Sequence, residues 1–245
     1  KLGFENLTYT DSQQVGNMAL GGFEKGVTTE EMAAAYAAFV NEGVYTKPRT
    51  FVRVEDANGN VILENEAQST VAMKNTTAAI INHLLQEAAL NGTGYEAQFS
   101  GMHIAGKTGS TNSNKDRYFV GYTPYYSCAV WAGYEHNQRI VASGNPCSAI
   151  FRKVMSAIHE ELPDKDFFSC AGLTSVAVCA DSGMLASENC ALDVRGSRVY
   201  TALVAADNAP TSVCTMHTAP SYTVNMADSD GNVTTVTGSV LNYQR

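Results

Sequence analysis

The stretch Gly106-Lys107-Thr108-Gly109-Ser110-Thr111 places an ammonium, three hydroxyls and two glycines side by side. Hydroxyls beside a lysine grip a carboxylate through charge-assisted hydrogen bonds. The bare backbone at Gly109 lets an extended ligand lie along a strand edge. Taken alone, a Lys-Thr-Gly triplet describes a small polar loop equally well. Other reactive types are less pointed. His103 shares strand parity with Lys107, whereas His83, His136 and His159 read as surface or satisfied side chains, and no two carboxylates pair as an acid–base dyad. Cys179, Cys190 and Cys214-x-x-His217 are of zinc-ligand type. Their spacing is irregular, and four of the six cysteines fall after residue 169, a density that leans towards disulfides in an oxidising compartment, so neither metal nor cofactor is expected.

Helices and strands must position the lysine. Thr28 and Glu31 form a capping box, opening a helix whose stripe is Met32, Ala35, Tyr36, Phe39 and Val40. Thr50–Val54 and Val61–Leu63 flank Asp56-Ala57-Asn58-Gly59, a hairpin with its turn glycine. A second helix from Asn75 to Asn91-Gly92 is expected to bury Ile80, Ile81, Leu84, Leu85 and Ala88. Strands follow near Met102–Thr108, Tyr118–Tyr122 and Cys128–Tyr134. A helix over Pro146–Glu161 then carries Ile150, Phe151, Val154, Ile158 and Leu162 on one face. This order predicts an α+β domain with an antiparallel sheet flanked by helices. Leu162-Pro163-Asp164-Lys165-Asp166 reads as a linker, giving domains 1–162 and 163–245. The second is mostly β, with turn glycines at Gly183, Gly196, Gly231 and Gly238.

Composition excludes several classes. With 44% hydrophobic residues and no low-complexity tract, the chain of 245 residues is not intrinsically disordered. A net charge of −8 without a Lys/Arg cluster argues against a nucleic-acid partner. The apolar run Met32–Val40 falls far short of the roughly 20 residues of a membrane span. Lys1-Leu2-Gly3-Phe4 lacks an initiator Met and a signal-peptide pattern, so the chain is expected to be a piece of a longer protein.

The ordered strings Leu20-Gly21-Gly22, Gly26-Val27-Thr28, Asn41-Glu42-Gly43, Gly92-Thr93-Gly94, Lys107-Thr108-Gly109, Asp116, Phe119-Val120-Gly121-Tyr122-Thr123-Pro124 and Trp131 carry a resemblance. Over residues 1–162 the chain resembles the second half of the transpeptidase domain of class A (bifunctional) penicillin-binding proteins. That family uses Ser-x-x-Lys, Ser-x-Asn and Lys-Thr-Gly in chain order. Here no Ser-x-x-Lys occurs, and the Ser-x-Asn strings at Ser110-Thr111-Asn112 and Ser187-Glu188-Asn189 do not fit the order.

The resemblance implies a penicillin-binding transpeptidase and serine β-lactamase-like fold, incomplete here, and a D,D-transpeptidase that cross-links peptidoglycan through an acyl-enzyme. It implies that Lys107 supplies positive potential and proton traffic. Thr108, Gly109, Ser110 and Thr111 would contact substrate, and the Ser110 amide would form half of an oxyanion hole. Implied partners are stem peptides ending in D-Ala-D-Ala, β-lactams, and the N-terminal part of the same domain, which would bring the nucleophile. The implied location is the extracytoplasmic face of a bacterial membrane, with anchoring through an upstream segment. A non-catalytic wall-binding protein and a carboxypeptidase or β-lactamase relative are the alternatives. Cys-containing extensions of some class A proteins resemble residues 178–214, where a Cys179–Cys190 bridge is one expected pairing.

Overall fold

The computed structural model describes residues 1–193, 195–217 and 221–239, and divides into two compact units, Lys1–Ala171 and Gly172–Arg245. The stretch read as a linker at Leu162–Asp166 lies within the first unit.

The first unit opens with two short helices, α1 (Tyr9–Gln13) and α2 (Val15–Ala19), followed by α3 (Thr29–Val40). Thr28 caps α3, with the Glu31 amide donating to its hydroxyl and its own amide donating to Glu31, which is the anticipated capping box. Strands β1 (Val44–Thr46), β2 (Arg53–Glu55), β3 (Val61–Glu64) and β4 (Ser69–Val71) form two small antiparallel pairs, β1 with β4 and β2 with β3. In the β2–β3 turn, Gly59 takes a positive φ of 84° and the Asp56 carboxylate accepts the amides of Asn58 and Asn60.

Helix α4 (Asn75–Leu90) leads to the main sheet, β5 (Ala105–Ser110), β6 (Asp116–Tyr122) and β7 (Ser127–Gly133), antiparallel in the order β5-β6-β7, and α5 (Pro146–Ile158) closes the unit. Helix α3 packs on β6 and β7, where the Ser127 hydroxyl donates to the Ala33 carbonyl at 2.7 Å. Helix α5 covers the opposite face. Its Phe151 meets Phe119 of β6 edge-on, with ring centroids 4.7 Å apart, and Ala89, Ile104, Cys147 and Met155 complete that core.

Two helical stripes differ from expectation. On α4 the buried residues are Ala78, Ala79, Asn82 and Ala89, and Leu84 is exposed. Small residues let the helix approach closely, and Asn82 is tolerated inside because the Tyr122 hydroxyl donates to its Oδ1 at 3.0 Å. On α5 the stripe is Cys147, Ser148, Phe151 and Met155, and Ile150, Val154 and Ile158 are half-exposed. Phe151 fixes the rotation through its edge-on contact with Phe119, so the residues one turn away on its own row enter the core.

The second unit contains β8 (Leu173–Cys179), α6 (Glu188–Ala191), β9 (Val199–Ala205), β10 (Ser221–Ala227) and β11 (Val233–Ser239). They make two antiparallel pairs, β8 with β9 and β10 with β11. Gly183, Gly196 and Gly231 take positive φ in turns. Gly238 instead pairs with Tyr222 inside β11.

Candidate functional site

Strand β5 delivers the Lys-Thr-Gly residues. It pairs with β6 on one side and, among the described residues, has no strand neighbour on the other. Gly106 lets the two strands and the helical core close together, since a Cβ there would fall 2.7 Å from Phe119 Cζ and 2.8 Å from the Val120 carbonyl. Lys107 and Gly109 lie opposite Val120 and Tyr118, and alternation puts these four on one face. Lys107 is exposed, with Nζ donating to the Thr108 carbonyl at 3.0 Å.

Thr108 is held from the other side. The Gly92-Thr93-Gly94 turn folds tightly over the end of α4, with the Gly94 amide donating to Ala88 at 3.0 Å. A Cβ at Gly92 would sit 2.9 Å from that same carbonyl. The turn sets the Thr93 hydroxyl 2.7 Å from that of Thr108. Nothing in the local sequence links these two threonines, so this positioning was missed at the sequence level.

Past Ser110, which is exposed, the chain turns at once. The Thr111 hydroxyl donates to Asp116 Oδ2 at 3.0 Å and accepts the Asp116 amide at 2.8 Å, closing the β5–β6 connection. Asp116 also receives Trp131 Nε1 at 3.2 Å. The hydroxyls of Thr108 and Thr111 are thus both engaged within the protein.

Lys107 and Gly109 border a cavity of about 190 Å³, roofed by Val27, Met32 and Tyr36 and walled by Tyr118. The Tyr118 hydroxyl donates to the Val27 carbonyl at 3.3 Å, so this side chain both packs and walls the cavity. Its burial pushes the phenol pKa up. A second hollow of about 930 Å³ reaches Ser110 and is bounded by Asp11 and Glu24. Asp11 accepts the amides of Thr8 and Glu24, both at 2.8 Å, which holds its carboxyl below the ordinary range. The Thr8-x-x-Asp11 capping box was legible in the sequence but was not read there.

The remaining candidates are distributed elsewhere. His103 lies outside β5, with Nε2 at 2.9 Å from Asp166. His159 is buried, bonded to Thr123 at 2.8 Å and to the Met155 carbonyl at 2.7 Å. A third Ser-x-Asn string, Ser143-Gly144-Asn145, also follows the Lys-Thr-Gly residues, and its Asn145 caps α5. Burial raises the thiol pKa values of Cys128 and Cys147. The Cys179–Cys190 bridge is not formed. Both are free thiols, Cys190 turning to Ser187 and Cys179 to His217.

An antiparallel sheet with a Lys-Thr-Gly edge strand, helices on both faces and a cavity beside the lysine is the arrangement of the penicillin-binding transpeptidase and serine β-lactamase class of α+β domains. Comparisons with known proteins agree. Residues 5–156 match the penicillin binding protein transpeptidase domain, and residues 169–219 match the penicillin-binding protein 1A C-terminal domain. The chain is 35% identical over 229 residues to penicillin-binding protein 1A of Clostridium perfringens, covering 90% of this chain and 27% of that protein. It is 37% identical over 219 residues to penicillin-binding protein 1A of Clostridium novyi, covering 88% and 25%. The chain therefore spans about a quarter of the length of these relatives. The crystal structure of penicillin-binding protein 1A from Haemophilus influenzae shares the fold, with a TM-score of 0.67 and 18% identity over 87% of this chain and 36% of that one. The penicillin V complex of PonA1 from Mycobacterium tuberculosis gives 0.54 and 27% over 62% and 43%. The chain belongs to the penicillin-binding protein transpeptidase family.

Proposed function

We propose that this chain supplies the Lys-Thr-Gly side of a serine D,D-transpeptidase site that cross-links peptidoglycan. The observation that carries the reading is the open edge of β5 with Lys107 beside the cavity. A stem peptide ending in D-Ala-D-Ala lies along that edge as an added strand. Lys107 supplies the positive potential for the terminal carboxylate and helps move the proton of the attacking serine. Ser110 offers its hydroxyl to the carboxylate and so does Thr108 when its oxygen accepts from Thr93, Gly109 keeps the edge clear, Thr111 holds the end of the strand, and the Ser110 amide faces the developing oxyanion. The serine attacks the amide between the two D-Ala residues, the last D-Ala leaves as an amine, and the acyl group passes to an amine of a second stem.

No Ser-x-x-Lys occurs in this sequence, so in this reading the serine and its lysine come from the N-terminal part of the same domain. The reading puts the chain on the extracytoplasmic side of the membrane. Among the described residues no helix is long and apolar enough to cross one. A β-lactam is the natural probe, as the penicillin V complex of PonA1 suggests.

Intact-mass spectrometry with excess β-lactam tests the proposal. This chain alone gains no acyl mass. Joined to a segment bearing Ser-x-x-Lys, the serine of that segment is acylated, and Lys107→Ala slows acylation by about 10²- to 10⁴-fold. An adduct on a serine of this chain, or unchanged acylation in Lys107→Ala, overturns it.

A further inference from the structure

Among its described residues the second unit has almost no aliphatic core. Among these, the buried apolar side chains are Val178 and three cysteines, Cys179, Cys190 and Cys214. Small units with so little apolar core commonly add a disulfide or metal staple, and here the cysteines are free thiols.

These thiols converge with one histidine. The sulfurs of Cys179, Cys190 and Cys214 and a ring nitrogen of His217 all lie within 4.8 Å of one another. His217 Nδ1 is 3.5 Å from Cys179 Sγ and 3.6 Å from Cys214 Sγ. A tetrahedral zinc with the usual Zn–S and Zn–N bond lengths separates sulfur from nitrogen by about 3.6 Å. The donors come from three stretches of chain, Cys179, Cys190 and Cys214-x-x-His217, tied to one another by backbone bonds. Cys214 donates its amide to Leu185 at 2.8 Å, and the Cys190 carbonyl accepts the Arg198 amide at 2.8 Å.

The surroundings complete the arrangement. His217 Nε2 stands 3.0 Å from Asp181 and 3.1 Å from Asp193. Carboxylates accept, so Nε2 carries the hydrogen and Nδ1 presents its lone pair to the thiols, the tautomer a metal requires. Arg195 holds both carboxylates, at 2.7 Å from Asp181 and 2.8 Å from Asp193, and Arg198 adds a second bond to Asp181 at 2.7 Å. Three buried thiols and an oriented imidazole make up the Cys₃His donor set of a structural zinc site.

We propose that Cys179, Cys190, Cys214 and His217 bind a structural zinc ion as a closed Cys₃His site. On binding, three thiol protons leave to solvent and three thiolates and the neutral imidazole fill the four positions. No position is left for water, so the ion staples the unit and does no chemistry on substrate.

The test uses the whole chain, purified under reducing conditions without chelator. Elemental analysis is expected to give about one zinc per chain. Replacement by cobalt(II) is expected to produce thiolate-to-metal charge transfer and the intense visible bands of a tetrahedral ion. Cys190→Ser lowers the metal content at least about tenfold, His217→Cys keeps it, and Cys170→Ser, outside the cluster, leaves it unchanged. If Cys190→Ser does not fold, the cobalt spectrum of the unaltered chain decides alone. Absence of zinc together with a featureless cobalt spectrum overturns the proposal. So does an intact mass showing these cysteines joined as disulfides in protein that fails to take up metal after reduction.

Discussion

Thr93 and Thr108 share a hydrogen bond, their hydroxyl oxygens 2.7 Å apart, and this bond ties the turn after α4 to the Lys-Thr-Gly strand. Only one of the two hydroxyls donates in it, so Thr93 governs which way the Thr108 proton points. With Thr93 accepting, the Thr108 oxygen keeps its lone pairs outward; with Thr93 donating, the Thr108 proton is free for a carboxylate. Thr93→Val removes this control. In the assembled transpeptidase we expect β-lactam acylation to slow by about three- to tenfold, the worth of one ordinary hydrogen bond. Stopped-flow acylation rates check this, and an unchanged rate removes Thr93 from the site.

Gly106 and Gly109 have different tasks, although they flank the same two residues. An added methyl at Gly106 meets Phe119 and the backbone of Val120 and Gly121 at 2.7–2.9 Å. Gly106→Ala is therefore expected to cost about 1–3 kcal/mol in stability. At Gly109 the methyl meets only Tyr118 Cβ, at 3.1 Å. Gly109→Ala should fold with a smaller loss and act mainly on ligand binding along the edge. Thermal denaturation of the two variants, side by side, distinguishes them.

Tyr122 is fully buried and its hydroxyl serves Asn82. Burial also pushes its phenol pKa far up, so it stays a neutral donor. Tyr122→Phe leaves the Asn82 oxygen without that donor and is expected to destabilise the first unit by about 1–3 kcal/mol. The double variant with Asn82→Leu should recover part of the loss, a result a double-mutant cycle reads directly.

The carboxylate of Glu31 accepts the amides of Glu5 and Thr28, both at 2.8 Å, and these bonds lower its pKa. A lowered carboxylate contributes stability above its unfolded pKa of about 4.3 and loses it as pH falls through the folded value. The start of α3 should therefore loosen below about pH 4, and Glu31→Gln should flatten that acid limb. Thr28→Ala removes the other half of the capping box and costs about 1 kcal/mol at neutral pH. Circular dichroism melts across pH test both.

What the sequence determined by itself is local. Thr28 and Glu31 mark a helix start because capping is satisfied within four residues, Asp56 and Gly59 mark a turn for the same reason, and the Lys107–Gly109 strand stands out as a short chemical pattern. The ordered strings around it identified the family, since their spacing is inherited along the chain. Tertiary structure decided what depends on partners far away in sequence. It turned α5 so that Phe151 meets Phe119 while Ile150 stays half-exposed, because apolar spacing fixes a stripe only to within one residue and ring packing chooses among neighbours. It brought Thr93 to Thr108 and set Gly106 apart from Gly109. It also gathered Cys179, Cys190 and the Cys214-x-x-His217 pair, whose irregular spacing hides the cluster because three stretches separated along the chain supply the donors and only the folded distances show that they meet.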